Sequence, residues 1–224
     1  MTPSGKIELM APAGNFESLQ AALDNGADSV YFGVEQLNMR ARATINFTLE
    51  DLPEIAKRCK AQKVRTYLTL NTIIYDHDLS VVKTLVSKAK DAGITAVIAS
   101  DQAVIASARA IGMEVHISTQ LNVTNVETVK FYSLFADTIV LSRELSLRQV
   151  KKITEQIEKE QIKGPSGNLV EIEIFGHGAL CMAVSGKCYL SLHSHNSSAN
   201  RGACKQNCRK KYTTVIIPGN INKR

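Results

Sequence analysis

Apolar residues recur along residues 1–173 in two alternating patterns. Six stretches have apolar residues at helical spacing, and they read NFESLQAALDNG, TLEDLPEIAKRCKAQ, SVVKTLVSKAKDAG, DQAVIASARAIG, NVETVKFYSLF and SLRQVKKITEQI. Short apolar runs typical of buried strands surround them, and these are IELMAPA (7–13), SVYFGV (29–34), VRTYLTL (64–70), AVIAS (96–100), VHISTQL (115–121), TIVLS (138–142) and VEIEIFG (170–176). Because strands and helices alternate through short joins, the pattern predicts parallel strands with crossover helices.

Seven strands with six intervening helices favour an incomplete (β/α)8 TIM-barrel-like α/β fold over an open sheet. The first strand is followed by APAGN, which is too short for the GxGxxG fingerprint of a dinucleotide-binding fold. A complete barrel takes about 250 residues, whereas this chain has 224, so the eighth strand is expected to be missing. Either the short run TTVII near the end closes the sheet or the chain is a fragment of a longer protein, and we favour the fragment.

We divide the chain into a barrel portion (residues 1–176), a cysteine-rich segment (177–212) and a truncated tail (213–224). The hydrophobic content of 44% and charged content of 21% are typical of a soluble globular protein. The first residues lack the pattern of a signal peptide, and no apolar run approaches the ~20 residues that span a bilayer. We therefore expect a cytoplasmic protein with no membrane partner, in which clustered thiols bind metal or perform redox chemistry.

The charge is concentrated with the cysteines. Residues 174–224 contain eight of the 27 basic residues and none of the 21 acidic ones, so this stretch carries +8 and the remainder −2. A basic block can be no more than a solvated face, but it also suits a polyanionic partner such as tRNA or rRNA. The candidate RNA-binding residues are Lys205, Arg209, Lys210 and Lys211.

Polar residues that follow the predicted strands mark a possible active site, because barrel enzymes carry their chemistry on these loops. The candidate catalytic residues are His116, His177 and Arg143, and the candidate substrate-binding residues are Asn38, Arg40, Arg42 and Gln120. Guanidinium groups bind carboxylate or phosphate in bidentate geometry, so we expect the arginines and histidines to surround one pocket beneath the cysteine-rich segment. An alternative for Arg143 is pairing with a nearby carboxylate.

Four cysteines have the spacing Cys181-x6-Cys188-x15-Cys204-x3-Cys208. Structural zinc usually uses two tight C-x2–4-C pairs, and only Cys204 and Cys208 are that close. An iron–sulfur cluster accepts more varied spacing, so the residues alone leave an iron–sulfur cluster, zinc and unliganded thiols or disulfides open. Cys59, inside the helical stretch EIAKRCKAQ, is expected to be a core residue. The stretch SLHSHNSSAN, with its two histidines, is expected to be a solvated loop.

The stretch EIFGHGALCMAVSGKCYLS (173–191) resembles the signature of the peptidase U32 family, which reads E-x-F-x-x-G-A-x-C and then G-x-C-x-x-S. Further stretches resemble the family in the same order along the chain, so the similarity covers essentially its whole length. These stretches are ELMAPAGNFESLQAALDNGADSVYFG, NMRARATINF, HISTQLNVTN, VLSRELSL and NRGACKQNCRKKY.

The resemblance implies more than one activity. The family was named for collagenase-like peptidases, but several members are iron–sulfur proteins of oxygen-independent or prephenate-dependent hydroxylation. Their products include 5-hydroxyuridine in tRNA, a hydroxylated cytidine of 23S rRNA and intermediates of anaerobic ubiquinone synthesis. In such members four cysteines hold a 4Fe–4S cluster, and these carry over to Cys181, Cys188, Cys204 and Cys208. Family members usually continue well beyond the length of this chain.

Among the activities that the resemblance implies, the residues favour RNA hydroxylation over proteolysis. The chain has no HExxH helix and no G-x-S-x-G elbow. Cys181 and His177 could form a protease pair, but a thiol that binds a cluster cannot also be the nucleophile. We therefore predict an iron–sulfur protein that supports prephenate-dependent tRNA 5-hydroxyuridine formation. The alternatives are a collagenase-like peptidase and a non-enzymatic iron–sulfur assembly or accessory factor, and a protein partner would complete the barrel if the chain is naturally short.

Overall fold

The computed structural model describes residues 7–34, 37–39, 47–178 and 180–213. Within them seven parallel strands form one sheet in which every strand pairs with its neighbours in chain order. The strands are β1 (Met10–Pro12), β2 (Ser29–Phe32), β3 (Arg65–Leu70), β4 (Ala96–Ala99), β5 (Glu114–Ile117), β6 (Thr138–Val140) and β7 (Glu171–Glu173). The sheet curls as part of a barrel, so the predicted TIM-barrel-like α/β fold is confirmed.

Six helices make the crossovers between successive strands, at the positions that the helical spacing predicts. They are α1 (Phe16–Asp24), α2 (Leu52–Ala61), α3 (Leu79–Asp91), α4 (Gln102–Ala110), α5 (Val126–Ser133) and α6 (Leu147–Glu160). Local sequence fixes where several of them begin: the Asn15 side chain accepts from the Ser18 amide, and the Asp101 side chain accepts from the Ala103 amide. Each bond satisfies an N-terminal amide that has no partner within the helix.

Alternation along the strands separates two faces of the sheet. One face packs against the helices and forms the main core, with Val97, Val115 and Ile117 buried there. The opposite face forms the inside of the barrel, where Tyr67 is buried in a smaller apolar cluster. His116 belongs to this inner face, since its ring centroid lies 4.4 Å from that of Tyr67.

The cysteine-rich segment contains a helix that the sequence pattern does not predict. Residues Leu190–His195 form α7, and 3₁₀ turns follow at Ala199–Arg201 and Asn207–Arg209. The expectation of a loop at SLHSHNSSAN is therefore wrong for its first half, although His193 and His195 are exposed to solvent as expected. The Ser194 hydroxyl donates to the Leu190 carbonyl and accepts from the Asn207 side chain, so tertiary contacts stabilise a helix that is weak in local propensity.

Three parts of the predictions lie outside the described residues. These are Arg40, Arg42 and the TTVII run except for its first residue. Among the helices that the structure describes, none has the length and apolar content needed to cross a membrane.

Candidate functional site at the barrel mouth

The loops after β5 and β6 hold the first part of the cysteine-rich segment over the carboxyl ends of the strands. Arg143 donates to the Ser185 hydroxyl at 2.7 Å and to the Ala183 carbonyl at 3.3 Å. The Asn122 amide nitrogen donates to the Ser185 carbonyl at 3.0 Å and also to the Gln120 carbonyl at 2.7 Å. The two described hydrogen bonds of Arg143 therefore position the segment through neutral partners, and the alternative of pairing with a nearby carboxylate stays a prediction.

Gly186 lets the segment approach the β5 loop closely. Its φ is +72°, in the left-handed region that favours glycine. A Cβ at this position would lie 3.1 Å from the Gln120 Cβ and 3.3 Å from the Gln120 carbonyl oxygen. The packing of the segment on the barrel therefore depends on the missing side chain at residue 186.

A second anchor joins the segment to the loop after β3. Arg201 forms an ion pair with Asp78, donates to the Ile73 carbonyl at 2.7 Å and lies over the Tyr75 ring at 4.7 Å. The Ile73 amide donates in turn to the Asn200 carbonyl at 3.2 Å. The hydrogen bond from Arg201 is the main reason that the pKa of the Asp78 carboxyl is lowered from its ordinary value.

Between the two anchors lies a cavity of about 110 Å³ at the barrel mouth. The strand-end loops form its floor and walls, and two residues of the cysteine-rich segment form its roof. The described residues that line it are Met39, Asn71, Ile73, Ser100, Gln120, Leu121, Gly186 and Asn200.

The predicted substrate-binding residues are only partly brought to this cavity. Gln120 lines it, whereas Asn38 is buried, is not among the described lining residues, and donates its amide to the Val34 carbonyl. The next residue, Met39, is a lining residue whose amide donates to the Asn71 side chain at 3.2 Å. Arg40 and Arg42 follow directly in the chain but lie outside the described residues.

The three predicted catalytic residues occupy three different settings. His116 is 3% exposed inside the barrel, where its Nε2 is 3.1 Å from a Glu114 carboxylate oxygen and its Nδ1 is 3.9 Å from one of Glu173. Arg143 holds the cysteine-rich segment, and His177 is exposed after β7. None of the three is among the described residues that line the cavity. A catalytic role for them stays a prediction.

The carboxylates beside His116 differ in their proton affinity. The hydrogen bond with His116 is the main cause that lowers the pKa of Glu114 from its ordinary value. Burial raises the pKa of Glu173, and the attraction of His116 opposes this only in part. The inner face of the sheet thus holds one carboxyl stabilised as an anion and one that binds its proton more tightly.

The four clustered cysteines are all free thiols on one segment. Cys181, Cys204 and Cys208 are exposed and Cys188 is partly exposed. Cys59 is buried instead, and burial raises the pKa of its thiol to about 11, which confirms it as a core residue. Across the residues that the structure describes, no three side chains of His, Cys, Asp or Glu form a metal-binding group. The cysteines as cluster ligands therefore remain a prediction.

One hydrogen bond brings Cys204 towards the part of the chain that carries Cys188. The Lys205 amide donates to the Ser191 hydroxyl at 3.0 Å, which places Cys204 next to the beginning of α7. Cys188 lies just before the same helix. The Gln206 amide also points at the Cys204 sulfur, with a nitrogen–sulfur distance of 3.4 Å.

The basic side chains proposed for RNA binding lie on the surface. Lys205, Arg209, Lys210 and Lys211 are all exposed. The acidic start of α2, which is one conceivable partner for them, is paired with other groups: Glu54 contacts Arg58 at 2.7 Å, and Asp51 accepts from the Thr48 amide. The four bases therefore present their charge to solvent.

Several residues that build this site were not identified from the sequence. Arg201, Asp78, Ser185 and Asn200 join the segment to the barrel or line the cavity. One signal could have indicated Arg201, because its segment contains no acidic residue and any carboxylate partner must come from the barrel portion. No local pattern indicates the others.

Comparison with known proteins shows which family the chain belongs to. The profile described as "Peptidase family U32" matches residues 14–223. The chain belongs to the peptidase U32 family. It is 59% identical over 207 residues to a protein of Porphyromonas gingivalis strain W83 named "Collagenase", covering 92% of this chain and 50% of that protein.

Another relative is named for RNA modification instead of proteolysis. Over 217 residues the chain is 34% identical to "tRNA hydroxylation protein P1" of Bacillus subtilis strain 168, covering 96% of this chain and 49% of that protein. The chain thus spans about half the length of these relatives. The solved "Structure of the U32 Peptidase Mk0906" has the same fold, with a TM-score of 0.57 at 14% identity over 81% of this chain and 97% of that one.

Proposed function

We propose that this chain is the cluster-bearing part of a cytoplasmic iron–sulfur protein that supports RNA hydroxylation, in the form of prephenate-dependent 5-hydroxyuridine formation in tRNA. The observation that carries the proposal is the docked cysteine-rich segment, in which free thiols and exposed bases alternate along the chain. A peptidase has no need of such a basic surface, whereas RNA binding depends on one. The name of the Bacillus subtilis relative supports the same choice.

The donor set fits an iron–sulfur cluster in its chemistry. Four free thiols supply soft sulfur ligands, and neither a disulfide nor a carboxylate of the segment competes with them. The N–H group directed at the Cys204 sulfur is of the kind that stabilises a thiolate ligand. Cys181, Cys188, Cys204 and Cys208 would hold a 4Fe–4S cluster, with zinc as the alternative metal. When bound, the cluster would activate a substrate oxygen or relay electrons.

The chain's own residues would position the reactants. Arg143, Asn122 and Arg201 fix the segment on the barrel, so a cofactor on the thiols would be held at the mouth. The guanidinium of Arg143 is already bonded to Ser185 and Ala183, which leaves Arg40 and Arg42 as the candidates to bind the two carboxylates of prephenate.

The proposal is tested in a strain that lacks the native gene. Nucleosides from its tRNA are analysed by mass spectrometry after complementation with the wild-type protein, Cys204→Ser or Cys59→Ser. We expect wild type and Cys59→Ser to restore 5-hydroxyuridine and Cys204→Ser to fail. Unchanged 5-hydroxyuridine levels in the deletion strain, or full restoration by Cys204→Ser, would contradict the proposal.

A collagenase-like peptidase is the second candidate, favoured by the 59% identity to a relative with that name. A cysteine protease requires its thiol to be activated by a neighbouring imidazole, and Cys181 with His177 is the pair available in sequence. Both side chains are exposed on the segment after β7. Gelatin cleavage that disappears in both Cys181→Ala and His177→Ala, together with unaltered tRNA, would favour this function. A bound cluster with neither activity would indicate an accessory factor.

A further inference from the structure

We propose that the cavity at the barrel mouth receives the pyrimidine base of the RNA substrate. This inference rests on the proposed function, because it assumes that RNA is the substrate. It adds the place where the base binds and the residues that recognise it.

The size of the cavity suits a single six-membered ring. Its volume is about 110 Å³, and a cavity of about 150 Å³ is known to accept a benzene molecule. A purine, with two fused rings, needs more room than a pyrimidine. The volume of the cavity therefore favours a pyrimidine over a purine.

The polar groups of the cavity match the edge of a uracil ring. Three carboxamides, from Asn71, Gln120 and Asn200, line it together with the Ser100 hydroxyl. A uracil edge presents one N–H group between two carbonyl oxygens, and carboxamides pair with such edges through one donor and one acceptor. Neutral groups of this kind suit a base better than they suit a carboxylate or a phosphate.

Existing hydrogen bonds indicate which atoms would contact the base. The carboxamide oxygens of Asn71 and Gln120 already accept, from the Met39 amide and the Ser118 hydroxyl respectively, so their amide nitrogens are the groups to donate to the base carbonyls. The Asn200 carboxamide oxygen is different. It is buried and has no hydrogen-bond partner among the described residues, and Asn200 as a whole is only 4% exposed. A buried acceptor without a partner is costly, and a small turn of the Asn200 side chain towards the cavity would let the ring N–H of a bound uracil satisfy it.

The remaining walls are apolar. Met39, Ile73 and Leu121 line the cavity and would contact the faces of a flipped base, a role that apolar side chains share with aromatic ones. The chain is only 5% aromatic, so these aliphatic side chains supply the surface that aromatic rings provide elsewhere.

The approach to the cavity has the charge that RNA requires. Asn200 belongs to its roof, and five residues later the chain enters the basic stretch 205–211, whose lysine and arginine side chains are exposed. Phosphates held on this stretch would keep the strand beside the mouth while one nucleotide turns into the cavity.

Photo-crosslinking tests this placement without any hydroxylation. A short single-stranded RNA with one 4-thiouridine is irradiated with the 224-residue chain, and crosslinked peptides are mapped by mass spectrometry. We expect crosslinks within residues 118–122 and 197–203, and we expect uridine monophosphate to compete more strongly than adenosine monophosphate. Gln120→Met, which keeps the packing on Gly186, and Asn200→Ala should each lower this crosslinking about tenfold, the effect of losing a paired base edge.

Asn168→Ala is the matched control, because Asn168 is an exposed carboxamide in the loop before β7. Crosslinks confined to residues 205–211, equal competition by the two nucleotides, or undiminished crosslinking in both cavity variants would overturn the inference. The proposed function would survive that outcome if 5-hydroxyuridine still depends on the protein. Conversely, pocket crosslinks without 5-hydroxyuridine formation would support the base site and refute the reaction.

Discussion

Arg201 and Asp78 form an ion pair across 123 residues of chain, and this contact ties the cysteine-rich segment to the loop after β3. The side chains are 25% and 11% exposed, so both charges are largely removed from solvent. Such a pair is costly to break on one side only, because the remaining charge stays buried. The ion pair therefore positions the second half of the segment, which carries Cys204 and Cys208.

Replacing Arg201 by Met should lower the free energy of unfolding by about 1.5–3 kcal/mol, the range for a hydrogen-bonded charged group. Chemical denaturation measures this, and hydrogen exchange should show the loss first at residues 197–203. Lys151→Met is the control, because Lys151 forms a well-exposed pair with Glu155 at 3.7 Å and should matter little. Equal effects of the two substitutions would show that Arg201 is not an anchor.

The same pair predicts an acid dependence. Arg201 lowers the pKa of Asp78, so this carboxyl stabilises the folded state above its unfolded pKa of about 3.9, and the contribution is lost as the pH falls through the lowered folded value. In Arg201→Met the folded pKa of Asp78 lies closer to the unfolded value, so less stability should be lost as the pH falls and the stability difference between wild type and variant should shrink. Urea midpoints measured from about pH 6 down to about pH 2.5 would reveal this convergence, and parallel curves would contradict it.

Gly186→Ala should release the first half of the segment. Alanine at φ +72° costs about 1–2 kcal/mol in backbone strain, and its Cβ would also meet Gln120 at 3.1 Å. Gly167→Ala is a matched control, because Gly167 has φ +82° with no atom within 4 Å of the added Cβ. Both variants should lose stability, but only Gly186→Ala should increase proteolysis within residues 181–189. Similar cleavage patterns in the two variants would show that the close approach of residue 186 to Gln120 does not hold the segment in place.

Glu173→Gln should stabilise the protein at neutral pH. Burial raises the pKa of Glu173, so the folded state favours the protonated carboxyl. The stability that this group contributes is therefore present below its unfolded pKa of about 4.3, and it is lost as the pH rises through the folded pKa. The amide removes that loss, so the gain should appear near pH 7 and vanish near pH 4 in thermal unfolding. Glu171→Gln, on the exposed side of the same strand, should show no such pH-dependent gain. A gain of equal size at both pH values would contradict the account.

How far the sequence predicts this molecule differs between its parts. The strands and the six crossover helices follow from apolar spacing and from capping residues such as Asn15 and Asp101, which are local signals. The inward position of His116 also follows from strand alternation, since Val115 and Ile117 face the helices. α7 was missed because four of its six residues are serine or histidine, which are weak helix formers, and its stability comes from contacts such as Ser194 with Asn207. The anchoring roles of Arg143 and Arg201 depend on partners distant in the chain, which no local pattern reveals.

Salt dependence should separate RNA binding from a merely solvated basic face. Replacing Arg209, Lys210 and Lys211 together by Gln should weaken RNA binding and reduce the slope of log affinity against log salt by about two to three, because the variant neutralises fewer phosphates and so releases fewer counterions. The same change at Lys57, Lys60 and Lys63, exposed bases in and just after α2, removes equal charge and should leave the slope almost unaltered. Equal slopes in the two triple variants would contradict a specific RNA surface.

The central claim is that the docked segment holds an iron–sulfur cluster, and the most direct test is iron and acid-labile sulfide content after anaerobic purification. We expect about four irons and four sulfides per chain in wild type and in Cys59→Ser, and a loss of both in Cys204→Ser. Stoichiometric zinc without iron, or undiminished iron in Cys204→Ser, would contradict the account.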